Sequence, residues 1–168
     1  YTVLDENYRP ARVRRHRLDD DPATDTVVYE EPTAGFTLSL EKTASGRFIL
    51  ITGDDHATSE VRVLDADDPS APLHLVAARE DGVRYQIAHH EDRFLILTNA
   101  DGAEDFKIAK APVTAPGGTH GRNHWRDLVT HRAGVLLRRM LVFRHYLVRL
   151  ERADGLPRIV VRRFADGA

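Results

Sequence analysis

The chain has 168 residues, 42% hydrophobic and 30% charged, with a formal net charge of −2. That length can bury about 70% of its unfolded surface as one domain. The near-neutral charge argues against nucleic acid or an anionic membrane as partner. The absence of cysteine excludes disulfides, thiolate catalysis and cysteine-held metal, and fits a reducing, cytoplasmic setting.

Residues 2–5 read as the end of a strand, 7–10 as a turn, 12–18 as a second strand and 26–31 as a third, with the polar break Asp19-Asp20-Asp21-Pro22 between the last two. Residues 36–41 start the next group, and Thr43-Ala44-Ser45-Gly46 supplies a hairpin turn in which glycine can take positive φ. The run 47–52 is apolar and β-branched, as a strand buried on both faces is. Residues 60–65 alternate, placing Val61 and Val63 on one face and Arg62 and Leu64 on the other. Residues 73–77 close the group. The same order returns at 85–89, 93–98, 105–110 and 125–130, with Pro-Gly-Gly-Thr-His-Gly at 116–121 inserted before the last strand. It begins again at 135–142, 146–150 and 158–164.

Aligning Val13, Val61, Phe106 and Ile159 gives a period of about 45 to 53 residues, four short strands per period, which is the pattern of β-propeller blades. An immunoglobulin-like sandwich also has short strands and frequent turns, but not this repeat. The expected fold is all-β: a partial β-propeller of three to four four-stranded antiparallel blades. Its units are an incomplete blade at 1–31, blades at 36–79 and 83–131, and an incomplete blade at 135–168. Because Tyr1 falls inside a strand of the repeat, the chain is expected to be a piece of a longer polypeptide. Its terminal blades would expose apolar faces, so copies are expected to self-associate.

Catalytic signatures are sparse. None of Ser39, Ser45, Ser59 and Ser70 lies in a Gly-x-Ser-x-Gly elbow. His89 and His90 are neighbours in a strand and point to opposite faces, so they do not chelate one ion together. His120, His124 and His131 surround the Gly-rich insertion and read as loop histidines before they read as a zinc site. Asp54-Asp55-His56 and Asp65-Ala66-Asp67-Asp68 read as turn-capping carboxylates, since the spaced ligands of a calcium loop are missing. Gly117-Gly118 lacks the Lys-Ser/Thr of a phosphate loop. The basic run from Arg12 to Arg17 is divided between two faces by alternation and reads as a solvated outer strand. No catalytic, cofactor-binding or metal-binding residue is assigned, and neither a nucleic-acid nor a membrane partner is expected.

Several segments resemble a known family in the same order. They are L-D-E-N-Y-R-P at 4–10, Y-E-E-P at 29–32, A-T-S-E-V-R-V-L-D-A-D at 57–67, H-H-E-D-R-F-L-I-L-T-N at 89–99, W-R-D-L-V at 125–129 and L-V-R-L-E-R at 147–152. They are similar to the propeller of the oligopeptidase B branch of the prolyl oligopeptidase family of serine peptidases. Arg138-Arg139-Met140 is more basic than that branch tends to be. The resemblance implies a seven-bladed propeller capping an α/β-hydrolase domain that hydrolyses short peptides after Lys or Arg. It also implies that the catalytic triad lies outside these residues, so the segment alone should be inactive. The partners it implies are short peptides and the catalytic domain, with the propeller excluding folded proteins by size. Exposed polar residues of Thr37-Leu38-Ser39-Leu40-Glu41, Gln86-Ile87-Ala88-His89-His90 and Arg138-Arg139 would then line the channel. The alternative from another class is a non-catalytic propeller acting as a protein-interaction scaffold, because one fold hosts many functions.

Overall fold

The computed structural model describes residues 1–113 and 121–165. Its strands form four antiparallel sheets in chain order. The first sheet is β1 (Thr2–Leu4), β2 (Pro10–Arg15) and β3 (Thr26–Glu30). The second is β4 (Thr37–Lys42), β5 (Phe48–Asp54), β6 (Ser59–Asp65) and β7 (His74–Ala77). The third is β8 (Tyr85–His90), β9 (Arg93–Thr98), β10 (Lys107–Pro112) and β11 (Arg126–Val129). The fourth is β12 (Val135–Val142), β13 (Tyr146–Ala153) and β14 (Leu156–Arg163). Within each sheet the strands lie side by side in sequence order, the meander of a propeller blade. The Gly-rich insertion at 116–121 falls almost wholly outside the described residues.

Each sheet packs face to face on the next, and the alternation along the second strands explains why. Phe94 and Ile96 of β9 join Phe48, Leu50, Val61 and Val63 between the second and third sheets. Leu95 and Leu97 of the same strand join Ile108, Leu137 and Leu147 between the third and fourth. A strand buried on both faces has no polar side to show, hence the unbroken apolar runs. Val13, Leu38 and Ile51 form the smaller layer between the first and second sheets.

Three expectations are corrected. The basic run does not form an outer strand: β2 is the middle of its sheet, paired with β1 and β3. Val13 faces the core, while Arg12 pairs with Glu30 at 2.7 Å on the exposed side. The strand also ends at Arg15, short of residue 18. The third-strand position equivalent to Val13 and Val61 is Ile108, two residues beyond Phe106. In each case the register slips immediately after that residue, between Val13 and Arg14, Val61 and Arg62, and Ile108 and Ala109. Phe106 itself is left-handed (φ 64°) and precedes the strand. Its backbone turns the chain into β10 rather than extending it.

The repeat also explains the one exposed position of the set. Val13, Val61 and Ile108 are 3%, 1% and 0% exposed, each covered by the following sheet, whereas Ile159 of the last sheet is 75% exposed. Val161 and Leu141 lie on the same uncovered face.

Candidate functional site

The innermost strands β4, β8 and β12 line one groove of about 700 Å³. Each pairs with a strand on one side only among the described residues. Alternation in β4 sends Leu38 back into the core between the first two sheets and leaves Ser39 and Glu41 on the groove. In β8, Tyr85 is buried at the groove's floor and Gln86 is exposed. In β12 the register slips between Leu137 and Arg139, so Arg138 stands opposite no residue of β13. Such a bulge re-aims a side chain. It puts two consecutive arginines, Arg138 and Arg139, on the groove lining.

The groove carries charges of both signs that form no ion pairs with one another among the described residues. Glu41, Lys42, Arg84, Arg138 and Arg139 line it, and none of their side chains makes an ion pair among the described residues. Asp54, at its edge, is pushed up by burial; the Arg84 charge pulls it down only partly, and Asp55 adds repulsion. Unpaired charges beside an apolar floor of Leu50, Ile87 and Leu136 are suited to a ligand that brings its own charges and apolar side chains, as a peptide does.

The three stretches expected at the channel therefore meet in this groove, with differences. Leu38 turns away into the core. His89 lies beneath the surface, its Nδ1 2.9 Å from Ser45 Oγ and its ring edge-on to Phe48 at 4.9 Å. Burial, and to a lesser extent the nearby Arg47 charge, hold its pKa below the ordinary imidazole value. His90 points to the other face, towards the Arg144 carbonyl at 3.0 Å and the Phe164 ring at 3.9 Å. The two histidines thus separate as strand alternation requires. His120 lies outside the described residues, and among the described residues no group of three metal-ligating side chains comes together.

The acidic clusters serve turns. Asp55 Oδ1 accepts from the Ala57 and Thr58 N–H groups at 2.7 and 2.6 Å, bonds that lower its pKa. Asp65 and Asp68 accept likewise from Asp67 and Ser70.

Sequence reasoning missed a charged clasp between the first two sheets. The Glu31 side chain is fully buried and takes a forked contact from Arg79, whose Nη1 and Nη2 lie 3.2 and 2.8 Å from its oxygens. Arg79 Nη2 also reaches Glu60 Oε1 at 3.2 Å, and the guanidinium lies over the Phe36 ring at 4.1 Å. The Thr33 N–H donates to Glu31 at 2.9 Å. Burial alone would raise the Glu31 pKa; the Arg79 fork and the Thr33 N–H reverse this and leave it below its ordinary 4.5. A Cβ on Gly53 would lie 3.0 Å from Glu31 Oε2, a tight approach that would press the carboxylate by a few tenths of an ångström against its Arg79 partner. The Y-E-E-P segment was the one available signal, and it did not say which glutamate turns inward.

Four consecutive meander sheets, stacked face to face with the first strands of the last three on a common groove, define part of a β-propeller. The family model for the prolyl oligopeptidase N-terminal β-propeller domain matches residues 1–168, and the chain belongs to that family. Protease 2 of Moraxella lacunata is 37% identical over 161 residues, 96% of this chain and 22% of that protein. Dipeptidyl aminopeptidase BI of Pseudoxanthomonas mexicana is 37% identical over 157 residues, 94% of this chain and 21% of that protein. Among solved structures, oligopeptidase B from Leishmania major superposes with a TM-score of 0.88 at 32% identity, over 100% of this chain and 23% of that one. Oligopeptidase B from Trypanosoma brucei with covalently bound antipain gives 0.87 at 27%, over 100% and 24%. The chain thus spans about a fifth of the length of the curated relatives it matches.

Proposed function

We propose that this segment is part of the propeller of a serine oligopeptidase that cleaves short peptides after Lys or Arg. The catalytic α/β-hydrolase domain lies elsewhere in the polypeptide, and the propeller controls access to it. The observation that carries this reading is the end-to-end match to the family's propeller, with oligopeptidase B structures superposing over the whole chain. The groove of β4, β8 and β12, with its unpaired charges of both signs, supports a channel wall that meets peptide or the catalytic domain. The segment supplies position and exclusion, which act on water and substrate entry rather than on bond cleavage.

The full-length polypeptide should hydrolyse fluorogenic Arg and Lys peptides, and the 168-residue segment should not. Release of N-terminal dipeptides in place of cleavage after Arg or Lys would overturn the specificity. Silence of the full-length protein on every peptide would favour the scaffold reading.

Self-association belongs to the same reading. Leu141, Ile159 and Val161 form an uncovered face where the repeat elsewhere stacks another sheet. Produced alone, the segment should sediment as dimers or larger species whose share grows with concentration; a monomer at every concentration sinks this part.

A further inference from the structure

We propose that the crevice between the third and fourth sheets, at the end bearing the β8–β9 and β12–β13 turns, is a binding site for a small multivalent oxyanion, a polyphosphate or polycarboxylate. The crevice encloses about 610 Å³, the size of a small-molecule site. Five cations line it: Arg93, Lys110, Arg144, Arg162 and Arg163. Against them stand the Glu91 carboxylate on the lining and Asp92, which binds Arg93 at 2.9 Å. A net positive pocket in a chain of net charge −2 is charge segregation that the fold does not need.

Among the described residues, three of these cations have no carboxylate partner. Arg162 is fixed by donating to the Leu128 carbonyl at 2.9 Å, a neutral partner. The Lys110 and Arg144 side chains make no ion pair among the described residues. Arg163 sits over the Tyr146 ring at 5.8 Å. Glu91 is largely exposed and reaches Arg93 only at 3.6 Å. His90 adds a buried polar atom: its Nδ1 has no hydrogen-bond partner and lies 3.9 Å from Glu91 Oε2.

Four of the five cations are arginines, whose planar forks match phosphate and carboxylate oxygens two at a time. The concave arrangement favours a compact anion over a nucleic-acid strand, which would meet the negative remainder of the chain. The corresponding end of the second and third sheets is built differently. There His89 fills the gap against Ser45, Phe48 and Phe94.

The test is calorimetric titration of the full-length polypeptide with inorganic triphosphate and, separately, citrate, at low and physiological salt. The expected result is saturable 1:1 binding of at least one of them, weakened by salt. Charge reversal by Arg144→Glu with Lys110→Glu should weaken it at least tenfold. Arg144→Gln should weaken it less, and Arg17→Glu, remote in the connection between β2 and β3, should leave it unchanged. Saturation by triphosphate alone identifies phosphate chemistry, by citrate alone carboxylate chemistry, and both support the site. No saturable binding of either, or equal binding by the charge-reversed and unmodified proteins, overturns it. If the double variant misfolds, Arg144→Gln alone decides, since the Arg144 side chain is exposed in a turn and its replacement leaves the core intact; binding unchanged in that variant then overturns the site.

Discussion

Replacing Arg79 by methionine should destabilise the chain by about 3–5 kcal/mol, the range for removing one partner of a buried ion pair. The reason is what stays behind. Glu31 is wholly enclosed and Glu60 nearly so. Without the guanidinium two carboxylates face each other, Glu31 held by the Thr33 N–H and the Tyr29 hydroxyl and Glu60 by Arg62 and by the N–H of residue 79 itself, which the substitution keeps. Urea unfolding followed by the fluorescence of Trp125, the single tryptophan, reads the loss. Adding Glu31→Gln to Arg79→Met should recover part of it, because a neutral amide costs less to bury than an unpaired carboxylate.

The pH dependence has a definite sign. The folded Glu31 pKa is depressed below its ordinary 4.5. Its stabilisation is therefore fully present above that value and disappears as pH falls through the folded one. The gap between the unmodified chain and Arg79→Met should be widest near neutrality and shrink below about pH 4.5. An Arg79→Met chain as stable as the unmodified one at pH 7 would show that the clasp contributes nothing.

That clasp marks where sequence stopped being informative. The second strands were legible because burial on both faces leaves an unbroken apolar run, as in Phe48–Asp54 and Arg93–Thr98. The repeat was legible because every sheet solves the same packing problem against its neighbour. Register was less so: Phe106 and Ile108 are both apolar and both touch the layer between the third and fourth sheets, and the left-handed turn at Phe106 decides that the strand begins only after it. The centrality of β2 was hidden by its arginines, of which only Arg12 is exposed, while Arg14 and Arg15 are half-buried beside the inward-facing Ala11 and Val13. Charged contacts between sheets were not legible at all. Arg79 and Glu31 are 48 residues apart, and nothing in either local pattern names the other. The groove was partly legible, since first strands must line a propeller's centre. The bulge that presents Arg138, and the inward turn of Leu38, were not.

The clasp and the groove share a logic. In both, a side chain from one sheet completes something in its neighbour, so the relative placement of sheets is fixed by specific contacts as well as by apolar stacking. The apolar layers alone would tolerate sliding, because Val, Ile and Leu make no directional bonds. Directional contacts across sheets pin the register, and the register sets where Glu41, Gln86 and Arg138 stand along the groove.

Tyr85 provides the sharpest case, and Tyr85→Phe should cost about 2–4 kcal/mol with no change in apolar packing volume to speak of. Its ring belongs to β8, yet its hydroxyl enters the second sheet at the irregularity between β6 and β7. There it donates to the Ala77 carbonyl at 2.7 Å and accepts from the Val61 and Ala77 N–H groups at 2.8 and 3.3 Å. The bulge has opened the ladder, and one hydroxyl from the next sheet closes it. Phenylalanine would leave two buried donors and an acceptor unserved, at about 1–3 kcal/mol for a group stranded in this way. The residue is 2% exposed, so water cannot readily replace the oxygen. Burial pushes the phenol pKa up to about 12, so the hydroxyl stays protonated over the working pH range. The penalty should accordingly be flat from about pH 6 to 9, unlike that of Arg79→Met as it crosses into acid. Trp125 packs edge-on to the Tyr85 ring at 5.3 Å and should keep its emission maximum in the folded variant, since the ring remains. A Tyr85→Phe chain with unchanged urea midpoint would mean that the gap between β6 and β7 closes on its own, and that the sheets hold their register without this bond.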